Sequence, residues 1–385
     1  LAKRGNNMAD TYTETLDKRQ MSLLRLAEDM IRSIANPAIT DSLDAAVKAI
    51  KLSDDPTTPS QMNKFKAEIA SVYNETMTES LEPLTEQLTE LGLLEAAFTA
   101  KTIESFVDVS LKVPADKKVK KYIENAIMDL GTSTGGKSSI FTYKEYIKSY
   151  TDSSSDSVAN AIYAEWVAQN NTGKLPTLNQ YVKRVQVVAE GANKKNVKTL
   201  VKTAVNHYSM QARLSLRDDN LDVIDREVPS TTFDTKRSKI CTSIQGKYGI
   251  KGWPAGKSPI GYNPYHPSCR TQVLLLAKGQ SLEGDRAAIK GRKGENARDN
   301  FEARKARLRT KSKTSYQGRK DEAFIADEIN AATPVSKFLR DQPDWYIKES
   351  LGQTIGQAFI DGKVQLDQLT DDKLRPLTIK ELGLD

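Results

Sequence analysis

The sequence predicts a mainly α fold with a small α+β module: a helical N-terminal half, a clasp domain of short strands and a long loop, and a small helical C-terminal region. Three observations predict it. Residues 9–130 repeat large apolar residues at three- and four-residue spacing with few β-branched alternations. Val223 to Phe233 is Thr/Val-rich and Thr271 to Leu276 is a short apolar run, both of strand type. Between them, residues 246–268 hold five Gly and four Pro in 23 positions, a density that suits an irregular loop.

Taken in order, Thr13 to Ile34 places Leu16, Leu23, Leu24, Leu26, Met30 and Ile31 at helical spacing, and Asn36-Pro37 is expected to end that run. Ser42 to Ile50 repeats the pattern, and Asp54 to Ser60 reads as a loop. A helix over 60–80 meets Pro83, and another follows through Leu88, Leu91, Leu94, Phe98 and Ile103. Residues 117–210 continue in helical style, with breaks expected at Gly131–Gly136, Thr151–Asp156 and Asn170–Pro176. In the C-terminal region Phe338, Leu339, Trp345, Ile347, Leu351, Ile355, Phe359 and Leu366 are spaced for small packed helices. The expected organisation is a helical region over 1–115, a domain over 116–285 containing the module 223–276, a basic linker or arm over 286–320, and a helical region over 321–385.

Composition excludes several classes. The chain has 385 residues, 57 Lys+Arg, 50 Asp+Glu, two Cys and two His. Two cysteines exclude a disulfide scaffold and multi-zinc arrays, and two histidines exclude most multi-histidine metal centres. Mean hydropathy is −0.54, with no apolar run near 18 residues, so no membrane span is expected. Leu1 to Met8 lacks the apolar middle of a signal peptide. The expectation is a soluble protein made in a reducing compartment. The charge is uneven: residues 286–320 carry 13 basic and 3 acidic residues, more than the whole net charge of +7, while 321–385 is acidic. Arg304, Lys305, Arg307, Arg309, Lys311 and Lys313 would neutralise phosphates by counterion release without reading bases, so nucleic acid is the expected partner of this stretch. A solvated linker, or an arm on an acidic protein, is the alternative.

Two further constellations carry chemistry. Gly131 to Ser138 fits the phosphate-loop pattern G-x-x-x-x-G-K-S. That loop needs a buried strand before it and a helix after it, whereas Lys120 to Leu130 reads as an amphipathic helix. A helix–helix hinge with a Ser cap is the favoured reading. Cys241, His266 and Cys269 bracket the Gly/Pro loop. Two thiolates and an imidazole can be three ligands of a tetrahedral zinc, with Asp234 or His207 as the fourth. The favoured reading is a reduced clasp without a cofactor, in which His266 and Arg270 bond loop carbonyls; zinc and a disulfide are the alternatives.

The order of these pieces resembles a known family. The helix through Thr203 and Arg213 leads to Thr231-Thr232-Phe233-Asp234-Thr235-Lys236-Arg237-Ser238. Ile240-Cys241, Gln245-Gly246-Lys247 and His266-Pro267-Ser268-Cys269-Arg270 follow. Phe338 to Pro343, Phe359 to Lys363 and Leu377 to Leu382 form a second match. Together they resemble the Mu F-like minor head proteins of tailed phages over roughly a third of the chain. Here Asp234 to Ser238 carries one residue more than the family's Asp-x-Arg-Thr step. Cys241 and Cys269 also stand where many members have further cysteines. The resemblance implies a non-enzymatic virion protein, made in the host cytoplasm and placed inside the capsid near the portal. It would touch portal protein, major capsid protein and packaged DNA, and could leave with that DNA. Asp234, Cys241, His266, Cys269 and Arg270 would be the clasp, with Asp234 orienting it. The rival expectations are a nucleotide-using, transferase-like enzyme and a DNA-binding ejection protein acting in the host.

Overall fold

The computed structural model describes residues 10–132, 138–262, 264–291 and 327–384. The fold is mainly α with small antiparallel sheets. Helix α1 (Tyr12–Met30) starts at a capping box of Thr11 and Glu14. It does not stop at Asn36-Pro37. A π turn (Ile31–Ala35) joins it directly to α2 (Asn36–Leu52), with the Asn36 N–H bonded to the Ile31 carbonyl. The wider turn places Pro37 at the start of a new helical register, where its missing N–H costs little. Helix α3 (Pro59–Ser80) opens on a capping box of Thr58 and Gln61, and α4 (Glu82–Phe106) has Pro83 in its first turn.

Helix α5 (Asp116–Asn125) ends earlier than its pattern suggests. Strand β1 (Ile127–Thr132) then pairs antiparallel with β2 (Ser138–Thr142). The expected helix–helix hinge is therefore a hairpin, and Ser138 lies in a strand while Thr142 caps the next helix. Helix α6 (Tyr143–Asn170) runs unbroken through Thr151–Asp156. Its hydroxyls bond carbonyls one turn back, such as Thr151 to Lys148 at 3.1 Å and Ser155 to Asp152 at 3.0 Å, so the Ser-rich run is absorbed into the helix.

Helix α7 (Leu178–Val188) passes through a second π turn (Ala189–Asn193) into α8 (Lys194–Asp218). Every residue of α8 from Thr203 to Arg217 is buried, because α1, α4, α5 and α6 surround it. The largest apolar cluster runs from Leu23 to Ala212, so residues on both sides of position 115 share one core. Inside this helical body Glu95 of α4 is fully buried and accepts from Arg213 at 2.9 and 2.5 Å and from Arg19 at 2.8 Å.

The module behind α8 is a sheet of order β4-β3-β5, formed by β3 (Ile224–Ser230), β4 (Trp253–Pro254) and β5 (Gln272–Ala277). All of β5 is buried, which explains its unbroken apolar run. Helix α9 (Lys239–Tyr248) lies between this sheet and a 3₁₀ turn at Leu366–Leu369. A Cβ on Gly246 would lie 2.6 Å from the Asp367 nitrogen, so only glycine permits that approach. Gly252 is at φ +62°, and a Cβ there would lie 1.9 Å from the Glu227 carbonyl oxygen.

Strand β6 (Asp285–Ala288) pairs antiparallel with β7 (Asp327–Asn330), so the first residues of the basic segment belong to a sheet. Helices α10 (Val335–Arg340), α11 (Asp344–Leu351) and α12 (Gln353–Ile360) close a second core with Phe233, Phe338, Tyr346 and Phe359. Among the described residues, no helix is long and apolar enough to cross a membrane.

Candidate metal centre

Ser238 is the N-cap of α9, and its hydroxyl accepts the Cys241 N–H at 3.0 Å. That places the Cys241 thiol at the positive end of a helix. His266 and Cys269 come from the loop before β5, closed by a Cys269 N–H bond to the His266 carbonyl at 3.1 Å. Ser268 takes φ +58° inside this turn, and its N–H is held by the Thr203 hydroxyl at 2.8 Å. Asn206 of α8 donates to the carbonyls of Cys269 (2.9 Å) and Thr271 (3.2 Å), and Gln20 of α1 donates to that of Arg270. Two helices of the N-terminal body thus grip a loop that has no regular structure of its own.

The result is a compact group. Cys241 Sγ lies 3.7 Å from Cys269 Sγ and 3.1 Å from His266 Nε2, while Ser238 Oγ is 2.8 Å from the same nitrogen. Both cysteines are buried and free. The thiols are therefore not joined, a disulfide requiring about 2.05 Å. The hydrogen bond from Cys269, seconded by His266, holds the Cys241 thiol well below its ordinary pKa against the penalty of burial. Burial pushes the Cys269 thiol up, and its anionic neighbour Cys241 pushes it further. Burial would depress His266, but its hydrogen bond to Cys241 and the charge there raise it overall. Without a metal, the group therefore favours the charged forms of Cys241 and His266 and the neutral thiol of Cys269.

This Cys–His–Cys group can hold a metal ion. Two sulfurs on one tetrahedral zinc are about 3.8 Å apart for bonds of about 2.3 Å, close to the separation seen here. His266 Nδ1 lies 2.8 Å from the Pro267 carbonyl, which leaves Nε2 as the nitrogen facing the thiols. The donor set therefore fits three positions of a zinc site. Among the described residues, neither Asp234 nor His207 joins the group.

Asp234 instead receives both arms of the Arg270 guanidinium, at 2.6 and 2.9 Å. Arg270 thus binds a carboxylate and not the loop carbonyls expected of it, because a bidentate charge-assisted pair is the stronger contact. This pair lowers the Asp234 pKa despite burial. His207 sits within α8, where burial draws its pKa down to about 4 against a weaker upward pull from the backbone of Ile123. A histidine kept neutral in the fold charges more readily once unfolded, so stability is lost as pH falls from about 6.5 towards 4, by about 3 kcal/mol in all. The expected result is a His207 ring signal in NMR that does not titrate above pH 5. A midpoint near 6.5 in the folded protein would contradict it.

Arg304, Lys305, Arg307, Arg309, Lys311 and Lys313 lie outside the described residues, as does most of the Gly131–Ser138 stretch. The described ends of that stretch sit on two antiparallel strands, so it does not lead into the helix N-terminus on which a phosphate loop depends. Thr203 and Ser238 entered the sequence reading only within the stretches that carry the resemblance, and neither they nor Asn206 and Gln20 were given a role at this site. Only Ser238, three residues before Cys241, had a local signal, that of a helix cap. No family model matches the chain, and no curated protein or solved structure matches it either.

Proposed function

We propose that this chain is a minor head protein of a tailed phage, located inside the capsid near the portal, in which Cys241, His266 and Cys269 hold a structural zinc ion. One observation carries the reading. Asp234, Cys241, His266, Cys269 and Arg270 carry the resemblance to the Mu F-like proteins; Cys241, His266 and Cys269 meet in one group, and the Asp234–Arg270 pair, 36 positions apart in sequence, adjoins it through Cys269. When bound, zinc supplies a cross-link between the start of α9 and the loop before β5. Cys241 and Cys269 would give it thiolates, and His266 would give it Nε2. Pro267 orients the imidazole, and the Asp234–Arg270 pair fixes the chain directly after Cys269.

In this role the protein is structural and not an enzyme. The helical body and the module would dock on portal and major capsid protein. The basic residues of 286–320 would lie against packaged double-stranded DNA, with an affinity that falls steeply with salt. Mass spectrometry of purified, nuclease-treated particles before and after triggered genome release tests the assignment. A few copies per full particle are expected, with fewer in emptied particles if the protein leaves with DNA. Absence from both would overturn it.

A further inference from the structure

Arg237, one residue before the α9 cap, is only 6% exposed, yet none of its three guanidinium nitrogens has a hydrogen-bond partner. Its guanidinium lies 5.8 Å from the Phe233 ring centre and 5.9 Å from that of Phe338. Arg286 of β6 approaches the same Phe233 ring at 4.6 Å, is itself buried, and keeps its Nε unpaired while giving one bond to the Thr231 carbonyl at 2.6 Å. The Thr232 hydroxyl nearby in sequence is also buried without a partner.

The acidic groups around this junction are committed elsewhere. Asp234 is taken by both arms of Arg270. Asp17 accepts the Ala287 N–H at 2.8 Å and reaches Arg286 only through its field. The Tyr346 hydroxyl donates to the Ile289 carbonyl. Asp234 and Cys241 reach Arg237 only through their field, and none of its guanidinium nitrogens is bonded. Arginine cannot shed its proton to relieve this. Aromatic faces offset part of a buried cation's cost but satisfy none of its N–H donors.

We propose that Arg237 is the principal ligand of a small oxyanion, of the phosphate class, bound where α9 meets the core of Phe233 and Phe338. The planar fork of donors matches two oxygens of such an ion, and Arg286 adds a second positive charge beside it. The proposal does not rest on the zinc or on the virion assignment.

The test uses the full chain, freed of phosphate by dialysis and titrated with inorganic phosphate at constant ionic strength. Equilibrium dialysis is expected to give one phosphate per chain, with a melting temperature that rises over the same millimolar range. Arg237→Met should abolish both effects, and Arg237→Lys, which keeps the charge and loses the fork, should weaken binding at least tenfold. Lys363→Met, an exposed control, should bind as the wild type does. No phosphate on the wild-type chain would overturn the proposal, whatever the variants do. Equal binding by a folded Arg237→Met protein would overturn it as well.

Discussion

Replacing Glu227 by Ala is expected to cost about 3–5 kcal/mol, the loss seen when one member of a buried ion pair is removed. Glu227 is fully buried on β3. It accepts from Arg217 at 2.6 Å, from the Trp253 indole at 2.5 Å and from the Tyr262 hydroxyl at 2.9 Å. Its loss leaves a guanidinium and an indole N–H without their acceptor in the interior, with Asp218 (2.6 Å) as the one carboxylate still bonded to Arg217. Because Trp253 is half of the short strand β4, the edge of the sheet should loosen with it. Urea unfolding measures the effect. The double variant Arg217→Met/Glu227→Leu removes both charges together and should lose less than Glu227→Ala alone. A double variant as unstable as the single one would show that packing, and not the stranded charge, sets the cost.

The second large effect concerns the metal. Purified protein should contain one zinc per chain. Chelation should remove about 4 kcal/mol of stability where free zinc stands about a thousandfold above its dissociation constant. Cys241→Ser, Cys269→Ser and His266→Ala should each reproduce most of that loss and make the protein indifferent to the chelator. Calorimetry with and without chelator, beside elemental analysis, gives both readouts. A metal-free protein unmoved by chelation would leave a reduced hydrogen-bonded clasp. In that case His266→Ala would still cost about 1–3 kcal/mol, by leaving the Ser238 hydroxyl and the Cys241 thiol without their partner.

Much of the fold was legible because its signals are local. Helix starts are written as a hydroxyl followed three residues later by Glu or Gln, at Thr11, Thr58 and Thr142, and the apolar spacing after each does the rest. Local signals also misled where neighbours overrode them. Pro37 is a strong stop in isolation, yet a π turn accommodates it; the Ser-rich run in α6 looks like a loop until its hydroxyls find carbonyls one turn back. The pairing of β6 with β7 had no signal at all, since short strands far apart in sequence find each other only through tertiary contact. The site divides in the same way. Cys241, His266 and Cys269 stood out as rare residues around a Gly/Pro loop, whereas Asn206 and Gln20, which hold that loop in place, are ordinary polar residues of long helices.

The β6–β7 ladder also bounds where the basic residues can go. Ala288 and Asp327 are direct partners across it, so the two residues that flank 289–326 in sequence lie side by side. Arg304 to Lys313 therefore lie in sequence between two fixed points of the fold. At about 3.4 Å per residue, no backbone atom between those two points can lie farther than about 65 Å from them. A polyanion engaging those basic residues would be drawn to a defined patch of the protein, beside Phe233 and the helices of the second core. A tail of equal charge would offer no such address.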